Sequence, residues 1–168
     1  MTLPAGIEVR WRGVDDDARR REVSRALLAE MLPGASFHAR CVRCGGEHGR
    51  LRVSGADATV SVSYVAGWAF AAAGPAAIAL GLDAAPDVEP SLDRVLAGAD
   101  ARSWARVEAV LKADGRGLTV DPMRVVVEDA SPAGVDWVAR IDDDRPFTGW
   151  DVPGPAGVVL AVAARSPS

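Results

Sequence analysis

The sequence predicts an α+β fold of two similar small halves, residues 1–74 and 75–168, with helices packed on antiparallel sheets. Three observations predict it. Short stretches such as "TVSVSYV" at 59–65 alternate with a period of two, as half-buried strands do. Other stretches begin at an aspartate, carry apolar residues at helical spacing and end at glycine or Pro-Gly. The order of these signals runs strand, helix, strands, then strand, helices, strands, with a seam at Gly74-Pro75. At 168 residues and 49% hydrophobic content, the chain is large enough to bury a core.

The elements follow in chain order. "IEVRW" at 7–11 is a strand. Asp15, Asp16 or Asp17 caps a helix that runs to about Leu32 and stops at Pro33-Gly34. Strands follow near 50–53, 59–65, 68–73 and 76–82, the second and third turning at Ala66-Gly67. "PSLDRVLAG" at 90–98 and "DARSWARVEAVLKADG" at 100–115 read as helices, the second ended by Gly115. "RVVVED", "VDWVARID" and "AGVVLAVAAR" are strands, with polar turns such as "DDDRP" between them.

Charge is divided unevenly. Residues 1–55 carry ten basic groups against seven acids, and residues 56–168 carry nine against sixteen, which together give the net charge of −4. A basic first part suits phosphates and an acidic second part suits a cation, although two solvated faces of opposite sign have the same composition. The acidic balance and the lack of an aromatic-basic motif argue against nucleic acid. The N-terminus lacks an apolar signal core, so a cytoplasmic setting is expected. Residues 58–82 form twenty-five residues without a charge, long enough to span a bilayer. Their two-residue alternation, the Gly74-Pro75 break and the high alanine content predict buried strands instead, and no membrane association.

Lys112 is the single lysine in a chain with eighteen arginines. On the helix at 101–114, Val107, Val110 and Leu111 take core spacing, while Trp104, Glu108 and Lys112 recur every four residues along a neighbouring stripe. Glu108 and Lys112 could form a surface ion pair worth about 0.2–0.5 kcal/mol. Arginine would serve that pair equally well, whereas lysine offers a compact ammonium able to approach a single oxygen. Asp83 closes the apolar run "AIALGL". A carboxylate there serves either as a cap or, with Glu108 from another element, as an oxygen ligand for Mg²⁺.

Taken together, "GLDAA" at 81–85, "WARVEAVLK" at 104–112, "GRGL" at 115–118, Ser63-Tyr64 in "VSVSY" and Arg50 in "HGRL" resemble the motifs of the 4′-phosphopantetheinyl transferase superfamily. The resemblance is to its two-halved members, and the motifs run in family order from about residue 25 to residue 121. It implies halves related by a pseudo-two-fold axis, with a ligand cleft between them. Residues 1–74 would form the phosphate side and residues 75–168 the side of the metal and catalytic helix. It implies transfer of phosphopantetheine from coenzyme A to a serine of an acyl or peptidyl carrier protein, with Mg²⁺ as cofactor and a monomeric enzyme. Asp83 and Glu108 would hold the metal and, with Lys112, carry the chemistry. Arg25, Arg50, Ser63 and Tyr64 would bind the coenzyme. Ala85, Tyr64 and Val107 depart from the family pattern, standing where it has an acid, a histidine and a lysine. The alternatives are an impaired relative that binds coenzyme A or a carrier protein as a modulator, and a small zinc-knuckle binding protein.

One further cluster stands apart. "HARCVRCGGEH" holds His38, Cys41, Cys44 and His48, all the histidines and cysteines of the chain. Its Cys-x-x-Cys-Gly suits half of a zinc knuckle, a redox pair or a reduced thiol pair in a turn.

Overall fold

The computed structural model describes residues 3–41, 44–47, 49–65, 67–88, 100–130 and 134–166. The expected helix at 90–98 lies outside them, as do Ala66 and His48. The fold is α+β, with three antiparallel sheets and two α-helices among the described residues.

The first sheet has the order β1-β5-β4, with β1 at Glu8–Gly13, β4 at Ala58–Val65 and β5 at Trp68–Pro75. Helix α1, Arg20–Met31, packs Leu27 and Leu28 against Val60, Ala71 and Ala73 of this sheet. The expected aspartate cap is Asp16, which accepts a hydrogen bond from Ala18 N and starts a short 3-10 turn leading into α1. Strands β2, Ser36–His38, and β3, Arg52–Ser54, pair as a small ribbon.

The second large sheet has the order β6-β10-β9-β8-β7. Its strands are β6 at Ala79–Pro86, β7 at Val125–Asp129, β8 at Trp137–Ile141, β9 at Phe147–Asp151 and β10 at Val158–Arg165. Helix α2, Ala101–Asp114, lies across it. Asp100 caps α2 by accepting from Ser103 N at 2.7 Å, and Gly115 ends it in the left-handed conformation at φ 82°, as the sequence predicts. Val107, Val110 and Leu111 are buried, again as predicted. The charge-free run 58–82 is spread over β4, β5 and the start of β6, and no helix among the described residues is long and apolar enough to cross a membrane.

One strand expectation needs correction, and two strands, β2 and β9, have no counterpart in the sequence reading. The strand placed at 76–82 runs from Ala79 to Pro86, so Asp83 stands in mid-strand rather than at its end. Ala84 and Ala85, beyond the expected end of that strand, continue the pairing with Leu160 and Val159 of β10. Strand β9 was hidden by Gly149, a residue that ordinarily weakens a strand. Here it clears room for Trp137 of β8: a Cβ at 149 would fall 2.2 Å from the indole. The three-residue β2 is too short to show a period.

The two large sheets meet where β6 lies beside β4. Among the described residues no backbone ladder joins them; serine side chains do. Ser61 Oγ accepts from Leu82 N at 3.0 Å, and Ser63 Oγ accepts from Ala84 N at 3.2 Å. The alternation of "SVS" supplies a hydroxyl at every second residue, matching the two-residue repeat of the amides they receive.

Candidate functional site

Helix α2 lies so close to β6 that a Cβ at Gly81 would sit 2.0 Å from the carbonyl oxygen of Ala109. This approach brings the Trp104, Glu108 and Lys112 stripe down beside Asp83. The three residues line a cavity of about 490 Å³ together with Val62, Ser63, Tyr64, Asp83 and Ala84.

Lys112 does not pair with Glu108. Its Nζ donates to Asp83 Oδ1 at 2.6 Å, to Leu82 O at 3.1 Å and to Val62 O at 3.3 Å. The surface ion pair considered from sequence is therefore replaced by a bond across the seam, made to both β4 and β6. One ammonium nitrogen carries three protons and meets three acceptors, a geometry that a planar guanidinium does not reproduce. Asp83 is 7% exposed, and its Oδ1 also accepts from Ser63 Oγ at 2.9 Å.

Glu108 makes no hydrogen bond or ion pair with the described residues. Burial raises its pKa above the ordinary glutamate value, the nearby Asp83 charge raises it further, and Lys112 opposes both. A folded-state pKa above the unfolded one means that stability is fully present at acidic pH and is lost as pH rises through the folded value. Glu108→Gln is accordingly expected to melt higher than the parent protein at neutral pH in the presence of a chelator, with the gap closing at acidic pH. A variant no more stable at neutral pH would refute the strained-carboxylate description.

A larger cavity of about 630 Å³ adjoins the first, and Val62, Tyr64 and Lys112 stand in the walls of both. Arg25 of α1 and Arg50, just before β3, line it, as do Arg21 and His38. Sequence reading singled out Arg25 and Arg50 but not Arg21, which stands one helical turn before Arg25 and so shares its face. Arg25 Nη1 is buried and has no hydrogen-bond partner among the described residues. Burial lowers the pKa of Arg25, with Tyr64 offsetting it; burial and then Arg52 lower that of Arg50. These are partly desolvated guanidiniums on a cavity wall, an environment that favours an incoming anion.

No three His, Cys, Asp or Glu residues gather as a metal site among the described residues. His38, Cys41 and Cys44 thus form no three-ligand zinc site there, and His48 lies outside the described residues. Ala85 is 4% exposed and belongs to the core beneath α2, so it adds no oxygen. What remains is a two-carboxylate set. Asp83 Oδ2 and both oxygens of Glu108 receive no hydrogen bond from the described residues. Two carboxylates match the number that Mg²⁺ typically takes, its shell being completed by water and phosphate.

Neither the models of known protein families nor the curated proteins contain a match to this sequence.

Proposed function

We propose that the protein is a phosphopantetheinyl transferase that moves 4′-phosphopantetheine from coenzyme A to a serine of an acyl or peptidyl carrier protein. The observation that carries this reading is the joining of Asp83, Glu108 and Lys112, from a strand and a helix, at a cavity adjoining an arginine-lined one. The two cavities would form one cleft between halves 1–74 and 75–168. A pseudo-two-fold relation of those halves is supported by their shared strand order, β1-β5-β4 in one and β6-β10-β9 in the other.

In this reading Arg25 and Arg50 hold the nucleotide phosphates, with Tyr64 beside them, while Ser63 lines the smaller cavity, its hydroxyl donating to Asp83 and accepting from Ala84 N. Asp83 and Glu108 would hold Mg²⁺, which when bound neutralises charge on the pyrophosphate. The carrier serine oxygen bonds to the phosphorus bearing pantetheine, and the bond from that phosphorus to the bridging oxygen of adenosine 3′,5′-bisphosphate breaks. Glu108, or a water it orients, takes the serine proton. Lys112 fixes Asp83 and offers positive charge beside the transferred group, so rate comes from positioning and charge placement.

Incubation with an apo carrier protein, coenzyme A and Mg²⁺ is expected to give the phosphopantetheine adduct by mass spectrometry. Asp83→Ala and Glu108→Gln should each reduce it at least a hundredfold, the scale of losing a charge-stabilising or proton-transfer group. Undiminished transfer in EDTA would remove the metal assignment. Binding of coenzyme A without modification of any carrier would favour the modulator reading, which the burial of Ala85 supports.

A further inference from the structure

The hydroxyl of Tyr64, a residue that lines both cavities, lies 2.8 Å from that of Ser24. Ser24 is fully buried on α1, and its Oγ also lies 3.0 Å from the carbonyl oxygen of Arg21. A carbonyl oxygen only accepts, and a serine hydroxyl has one proton. A single arrangement makes both contacts hydrogen bonds: Ser24 donates to Arg21 O, and Tyr64 donates to Ser24 Oγ. The Tyr64 proton is thereby committed inward, and the phenol oxygen offers lone pairs to the cavity.

Arg25, the next residue on α1, has the opposite shortfall. Its buried Nη1 is a donor with no acceptor among the described residues. This corner of the larger cavity therefore has an acceptor in want of a donor and a donor in want of an acceptor. A phosphate oxygen alone would satisfy Arg25 and meet lone pairs at Tyr64. A ligand that answers both carries a hydroxyl beside a phosphate.

We propose that Tyr64 is a specificity-determining residue that accepts a hydrogen bond from a ribose 2′-hydroxyl, while Arg25 takes an oxygen of the phosphate on the adjacent carbon. The proposal rests on the reading of the larger cavity as a nucleotide site. In the nucleotide of coenzyme A the 2′-hydroxyl neighbours the 3′-phosphate, whereas the adenine amino group adjoins no phosphate. Ser24 is the positioning residue that fixes the direction of the Tyr64 proton.

Calorimetric titration with adenosine 3′,5′-bisphosphate and with its 2′-deoxy counterpart tests this. The parent protein is expected to bind the ribose form about fivefold more tightly, the size of one neutral hydrogen bond. Tyr64→Phe should bind the two compounds equally. Ser24→Ala frees the tyrosine proton to turn toward phosphate, so the preference should shrink, mainly through tighter binding of the deoxy compound. Equal binding by the parent protein, or a preference that survives Tyr64→Phe, would overturn the assignment to Tyr64 while leaving the nucleotide site intact. If neither compound binds, the nucleotide reading falls and the Tyr64 proposal falls with it.

Discussion

Lys112→Met is expected to lower stability by about 3 kcal/mol, the loss that follows when one partner of a largely buried ion pair is removed. In a chain of this size that is a fall of about 8 °C in melting temperature. Three acceptors each lose the lysine as a donor: the Asp83 carboxylate, which keeps only Ser63 among the described residues, and the carbonyls of Val62 and Leu82. Two of them belong to β6 and one to β4, so the variant also loosens the seam between the large sheets. Lys112→Arg keeps the charge but presents a planar fork to acceptors that converge on a single nitrogen, and it should recover less than half of the loss. Adding Asp83→Asn to Lys112→Met should recover part of it, because the stranded charge is then gone. If Lys112→Met melts with the parent protein, the bond across the seam has no net value and lysine at this position needs another explanation.

Gly81→Ala is expected to cost about 3 kcal/mol or more, at the upper end of what overpacking does. The added Cβ would meet Ala109 O at 2.0 Å and Ala113 N at 2.5 Å. Both are backbone atoms of α2, so no side-chain rotation relieves the clash; the helix must lift from β6. Lifting it carries Glu108 and Lys112 away from Asp83, and carrier modification should be lost even in molecules that remain folded. Calorimetric melting and the carrier assay read the two effects separately. An unchanged melting temperature would show that α2 does not lie as close to β6 as described.

Much of the frame was legible in local sequence. Asp100 and Gly115 marked the ends of α2 because a capping carboxylate and a left-handed glycine act on their own immediate neighbours. The Trp104, Glu108 and Lys112 stripe was visible because helical spacing is a local property, and the structure does line one cavity with it. Strand β4 showed its two-residue period. Strand β9 did not: its glycine is explained by an indole from β8, a neighbour that spacing along the chain does not reveal. The same is true of the burial of Ala85 beneath α2, which spacing along the chain does not reveal either.

The sequence alone determined which side chains lie on one face of each element and where α2 begins and ends, and it singled out one ammonium among arginines, open to a surface ion pair or to a point-charge role. It did not determine whom that ammonium serves. Glu108 stands one turn away on the same helix, yet the tertiary structure gives Lys112 to Asp83 and to two carbonyls on different strands. The reason is physical: helical periodicity fixes the direction in which Lys112 projects, but the strands it meets are set by serine hydroxyls joining β4 to β6 and by a glycine that lets the helix down.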